Sequence, residues 1–204
     1  MAKIKLTKTE LKRQRDALKQ FTRYLPTLQL KKQQLQVEVQ RASDEVRKVL
    51  KEKDSFMSGI ERWAGILNRP EYTQVESYVT VKKIHIDDKN IAGIDVPVLE
   101  SIDFDVEEYD LFTNDYWIDV ALDTLCKRFE LNVKENTLRE QKRLLEQELR
   151  TTTQRVNLFE KVKIPEAKEN IRVIQIALGD EQTAAVCRSK IAKRKAVAVS
   201  EVSS

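Results

Sequence analysis

An apolar residue recurs every three or four positions along the first third of the chain. Steps of alternating three and four residues from Leu11 to Leu67 visit 17 positions, and 14 of these are apolar. A period of 3.5 residues keeps one stripe facing a partner helix only when the two helices supercoil with a left-handed twist. The pattern therefore predicts a coiled-coil helix over residues 9–68, about 90 Å long at about 1.5 Å per residue.

A second and less regular apolar stripe predicts another long helix, from about residue 115 to residue 195. Val156 and Phe159 belong to this stripe, which resumes after Pro165 at Ala167 and Ile171, one residue out of step. A phase slip of this kind changes the supercoil locally and does not end the helix.

Between the two helices the apolar pattern changes to a period of two. β-Branched residues cluster over residues 77–106, on both sides of the polar run DDKN at positions 87–90. This alternation predicts a β-hairpin or small sheet whose polar turn is DDKN. Pro97 restricts its strand to an edge or a bulge, and Gly93 indicates a close approach of the backbone.

Two long helices joined by a compact turn-back predict a mainly α protein. The expected fold is a long antiparallel two-helix left-handed coiled coil with a small β-hairpin insert in the middle of the chain. The predicted segments are an N-terminal coiled-coil helix, a compact middle segment, a C-terminal coiled-coil helix and a frayed tail, at residues 1–68, 69–114, 115–195 and 196–204 respectively.

A proline lies inside each predicted helix. Pro26 and Pro165 each remove a backbone hydrogen bond and clash with the carbonyl four residues earlier, at a cost of about 3 kcal/mol. If the hairpin turns near residue 93, facing positions have numbers that sum to about 186, so Pro26 faces residue 160. We therefore predict a bend or local unwinding of both helices at one level of the coiled coil.

Charge is distributed unevenly along the chain. Residues 1–24 hold eight Lys or Arg and two acidic residues, whereas residues 87–119 hold eleven acidic residues and one lysine. Because the C-terminal region is basic again, an antiparallel arrangement predicts a basic tip and an acidic, β-containing end. The candidates at the tip for contact with a negatively charged partner surface are Lys12, Arg13, Arg15, Lys19, Arg23, Arg188, Lys190, Lys193 and Arg194.

The sequence carries no recognisable catalytic motif. It lacks a phosphate-binding loop and the spacings of zinc proteases and serine hydrolases. His85 is the only histidine, and we expect it to face solvent without an acid-base partner. Cys126 and Cys187 have no metal-site spacing, so we expect buried structural thiols. The hypothesis is a non-catalytic protein without cofactor or metal, intracellular because no bilayer-spanning run or signal peptide is recognisable.

Three stretches resemble the D subunit of the V/A-type rotary ATPases: residues 5–35, the run NIAGIDVP at 90–97, and above all residues 163–195. The resemblance implies a central rotor shaft whose N- and C-terminal helices insert into the ring of A and B subunits. It implies that the middle segment, with Ile91, Gly93 and Pro97 as candidate contacts, meets the small F subunit and the membrane-side socket subunit. It also implies a cytoplasmic location, peripheral to the membrane.

Two other functions fit parts of the pattern. A basic helical hairpin could bind RNA or a ribosomal surface, although an acidic far end and few aromatic residues do not favour nucleic acid as the partner. A cytoskeletal or scaffolding coiled coil is the third hypothesis.

Overall fold

The structure is a computed structural model that describes residues 4–64, 78–106 and 117–202. It is mainly helical, with a two-stranded antiparallel hairpin in the middle of the chain, which confirms the predicted fold class. The elements are α1 Lys8–Ala64, β1 Val79–Ile91, β2 Ile94–Val106, α2 Trp117–Asn157, a π-helix Leu158–Lys163 and α3 Ile164–Val202.

The ends of the helices differ in part from the sequence prediction. Thr7 caps α1, because its Oγ1 accepts a hydrogen bond from the backbone N–H of Glu10 at 3.3 Å. The Glu10 carboxylate accepts a hydrogen bond from the side chain of Gln14 one turn further on. α3 is helical as far as Val202, through most of the predicted tail. Much of the predicted middle segment, at 69–77 and 107–114, lies outside the described residues.

The chain divides into two compact units, of which one comprises Lys31–Thr151. Its core is formed by Leu35 and Ala42 of α1, Val96 of β2 and Leu145 of α2, all buried. The hairpin therefore packs directly on both helices. A second buried cluster lies at the start of α2, where Ile118, Ala121 and Leu122 contact Tyr78 and Val79.

The hairpin turn lies at Ala92 and Gly93, two residues beyond the predicted DDKN turn. Ile91 pairs with Ile94, and both turn residues have positive φ, 53° and 78°. Two consecutive left-handed residues are the signature of a type I′ turn, which matches the twist of the flanking strands. The DDKN prediction was wrong because Asp87 to Asn90 continue strand β1, where the Asn90 side chain accepts from the Gly93 N–H at 3.1 Å.

The other compact unit comprises Met1–Leu30 and Thr152–Ser204. α1 continues as α-helix through Pro26. In the facing chain segment, Leu158–Lys163 forms a π-helix that ends just before Pro165. The rings of Phe21 and Phe159 stack with centroids 5.3 Å apart and join the two segments. The numbers of these two residues sum to 180, so the pairing differs by about six residues from the predicted one.

Candidate binding surfaces

The distal part of α3 is exposed on all sides. Of residues 179–196, only Ala184 is half-buried and every other residue is exposed. Four predicted candidates for partner contact belong to this segment: Arg188, Lys190, Lys193 and Arg194. A helix usually buries one apolar face, so this segment lacks the intramolecular partner that covers Ala167 and Ile174 earlier in the same helix.

The cationic candidates on α1 occupy a different position. All of them are exposed, and of the five only Arg13 forms an ion pair with a described residue, Glu10 at 3.8 Å. Between them lies the half-buried stripe of Leu11, Leu18 and Phe21. These cations are therefore on the outer side of a packed helix.

The structure does not bring the two cationic sets to the same level. With Phe21 beside Phe159, regular helices put Lys12 level with about residue 168. Arg188 is then about 20 residues further along α3, roughly 30 Å at about 1.5 Å per residue. Within this unit, α3 extends past the start of α1 as a single cationic helix.

The hairpin exposes apolar side chains that the sequence analysis treated only as strand formers. Ile86 is 53% exposed and Ile84 37%. They are two positions apart in β1 and so lie on the same face of the hairpin. Their partners in β2 are the half-buried Ile102 for Ile84 and Leu99 for Ile86. The polar residues beside these isoleucines in the sequence were the available sign that the isoleucines could be exposed. Alternation alone, however, does not tell which face of a hairpin is covered by the helices.

Of the three predicted contact residues of the middle segment, Ile91 and Pro97 are half-buried and Gly93 is exposed. Ile91 packs against the core around Leu35. Gly93 lies at the turn, and a Cβ built there would lie 3.9 Å from Nζ of Lys31. The carbonyl of Pro97 accepts a hydrogen bond from the buried side chain of Gln141. Ile91 and Pro97 therefore hold the hairpin on the helices.

His85 and the two cysteines differ from expectation. The side chain of His85 is 35% exposed, and its Nε2 lies 2.9 Å from Oδ2 of Asp103, so the expectation of an imidazole without an acid-base partner was wrong. Cys187 is exposed, which contradicts the expected buried thiol. Cys126 is half-buried, and burial, together with the negative charge of Asp123, raises the pKa of its thiol.

The described ranges also show which kinds of site they do not contain. They hold no group of three or more His, Cys, Asp or Glu side chains arranged to bind a metal ion. Across the same ranges, no helix combines the length and the apolar character needed to traverse a bilayer.

The structure is therefore that of a mainly helical protein whose described residues leave a cationic helix segment and an apolar face of the hairpin exposed. The family model for the ATP synthase D subunit matches residues 10–194. The chain is 45% identical over 193 residues to the V-type ATP synthase D subunit of Borreliella burgdorferi, across 95% of each chain. It is 36% identical over 196 residues to the protein of the same name from Chlamydia caviae, across 95% of this chain and 94% of the relative. The chain belongs to the family of ATP synthase D subunits.

Proposed function

We propose that this chain is the central-stalk rotor shaft of a V/A-type ATPase. It would transmit torque between the catalytic ring of A and B subunits and the ion-translocating ring in the membrane, on the cytoplasmic side and without chemistry of its own. The observation that carries the proposal is the distal part of α3, a cationic helix without an intramolecular partner. A surrounding ring of subunits supplies the partner surfaces that such a helix lacks.

The physical basis of coupling is asymmetry. A shaft of two unlike helices inside a ring of near-threefold symmetry makes different contacts with each of three catalytic interfaces. A ligand or partner shifts an equilibrium only by its different affinity for the two states. Each angle of the shaft would therefore favour a different nucleotide state at each interface.

The hairpin is the surface that we propose for the remaining partners, the F subunit and the membrane-side socket subunit. Exposed Ile84 and Ile86 offer an apolar centre. Asp87, Asp88 and Glu100 supply exposed carboxylates at its border. Ile91, Gly93 and Pro97 would support this surface from the helix side. A partner with an apolar centre and a cationic rim fits this chemistry.

The proposal is tested by reconstitution with the A and B subunits. The test variant changes Arg188, Lys190, Lys193 and Arg194 to Gln. The matched control changes four exposed cations of α1 elsewhere, Arg41, Arg47, Lys48 and Lys51, to Gln. We expect the wild-type chain and the control to bind the ring and alter ATP turnover, and the test variant to bind at least about tenfold more weakly.

The proposal is refuted if the wild-type chain neither binds the A and B subunits nor changes their ATP turnover. RNA binding is the competing function that the cations favour. Tight, salt-sensitive binding to RNA at near-physiological ionic strength, lost in the same four-residue variant, would support that competitor instead.

A further inference from the structure

The C-terminal helical segment contains one residue more than a continuous repeat of buried positions allows. Buried Leu145, Thr152 and Val156 set a repeat whose steps alternate between four and three residues. After the step of four from Thr152 to Val156, the repeat continues at positions 159, 163, 166, 170 and 173. The buried residues after the π-helix are instead Ala167 and Ile174, each one position later. The π-helix takes up this residue: the N–H of Ile164 donates to the carbonyl of Phe159, five positions back.

The π-helix is weakly held by its surroundings. None of its six residues is buried, and Leu158 and Val162 are 45% and 49% exposed. The ring stack between Phe159 and Phe21 joins it to α1. By contrast, Val156 before it and Ala167 after it are 3% exposed. The segment therefore has well-packed helix on both sides and little packing of its own.

Pro165 explains why the wide turn is located there. A proline has no N–H to donate and clashes with the carbonyl four residues earlier in a regular α-helix, here that of Lys161. A wider turn before the proline moves this carbonyl away from the ring. On the facing helix, Pro26 removes another backbone hydrogen bond five residues after Phe21, about 8 Å along α1.

We propose that Leu158–Lys163 is a compliant joint, at which α3 twists and bends against the preceding helix while both flanking helices stay folded. π turns inside α-helices are costly and are frequent at functional sites. Local opening concentrates where buried apolar contacts are few. The functional role of the joint rests on the proposed rotor function. In that role the joint would let the α3 segment inside the ring rotate later than the helix that precedes the joint.

Amide hydrogen exchange on the full-length chain tests the joint without any partner. We expect the N–H groups of residues 160–164 to exchange at least about tenfold faster than those of 150–156 and 168–174. Equal protection across all three stretches would overturn the proposal.

A one-residue deletion provides a variant that removes the joint. Deleting the exposed Glu160 would bring Ala167, Ile171 and Ile174 into step with Val156, so a continuous α-helix becomes available. We expect exchange in this region to slow at least about tenfold. No rise in the midpoint of thermal unfolding is expected, because Pro165 still has no N–H to donate and still meets the carbonyl of Lys161. Glu160→Ala keeps the residue count and is the matched control, for which fast exchange should persist. A deletion variant that unfolds or exchanges as fast as the wild type would refute the register argument.

The role in rotation has a separate readout. In the reconstituted complex, the deletion variant should bind the A and B subunits like the wild type and change the rate of ATP turnover severalfold. Unchanged turnover in a normally assembled complex would show that the joint has no part in coupling. Failure of the wild type itself to bind the ring would instead remove the rotor function and leave the exchange result standing.

Discussion

Glu135 is a charged residue inside the helical core of the unit Lys31–Thr151. Its side chain is 9% exposed, with Lys53 Nζ 2.8 Å from Oε2 and Arg139 Nη2 2.6 Å from Oε1. The hydrogen bond from Lys53 is the main reason that the pKa of this carboxyl is lowered; the charges of Lys53 and Arg139 act in the same direction, and burial opposes them. A buried carboxylate is tolerated here because both of its oxygens are paired.

This ion pair predicts an acid-sensitive contribution to stability. Because the carboxyl has its ordinary pKa when unfolded and a lower one when folded, its contribution is present above about pH 4.5 and is lost as the pH falls through the folded pKa. We expect Glu135→Gln to lower the free energy of unfolding by about 1–2 kcal/mol at pH 7 and by less at pH 3. Urea unfolding at both pH values measures this. Glu140→Gln, which alters an exposed pair with Arg143, is the control and should change stability little.

Gln141 gives a second prediction at the scale of single residues. Its buried side chain donates to the carbonyl of Pro97 and so ties β2 to α2. Gln141→Ala leaves that carbonyl without this donor, and we expect a loss of about 1–3 kcal/mol in the free energy of unfolding. The control is Gln147→Ala at an exposed position of the same helix. Equal losses for the two variants would show that the bond to Pro97 contributes nothing.

At the scale of elements, two glycines should respond oppositely to the same substitution. Gly93 has φ +78°, and the Lys31 Nζ is no closer than 3.9 Å to an added Cβ, so Gly93→Ala should cost about 1 kcal/mol through backbone strain alone. Gly59 lies inside α1 with open space around it. Gly59→Ala should therefore gain about 1 kcal/mol from helix propensity. Thermal unfolding of both variants measures the signs, and a gain at Gly93 would contradict the type I′ turn.

The same elements show what a sequence pattern can and cannot predict. The 3.5-residue period predicted α1 because it records a buried stripe, and the period of two predicted the strands. The turn was misplaced because polar residues favour turns in general, whereas Ala92 adopts a positive φ that its residue type does not suggest. The one-residue slip near Pro165 was visible in the sequence, but a slip in register does not tell whether the extra residue is taken up by a π turn or by a local change of the supercoil.

At the scale of the candidate sites, charge was visible and position was not. Counting Lys and Arg along the sequence identified the cationic ends, because the charge of a segment can be read without knowing its structure. The level of each cation depends on the pairing of the helices. Phe21 beside Phe159 puts Lys12 level with about residue 168, the predicted pairing puts it level with about residue 174, and Arg188 lies beyond both positions. Whether a strand residue such as Ile86 is covered depends on which side of the ribbon meets α1 and α2, which alternation does not encode.

For the whole molecule, the exposure of distal α3 predicts that stability and partner binding are separable. Residues 179–196 contribute no buried side chain, so a chain ending at Leu178 loses little of the area that the described residues bury on folding. We expect its free energy of unfolding to stay within about 1 kcal/mol of the full-length value.

The same truncated chain should lose binding to the A and B subunits, because it lacks the cationic helix proposed to enter the ring. Urea unfolding and sedimentation with the A and B subunits measure the two properties on one preparation. A control ending at Lys195 keeps all five cations of distal α3 and should retain binding. Strong destabilisation of the shorter chain would mean that distal α3 has an intramolecular partner. Undiminished binding would move the ring contact to the cations of α1, where Lys12 and Arg15 are the first residues to substitute.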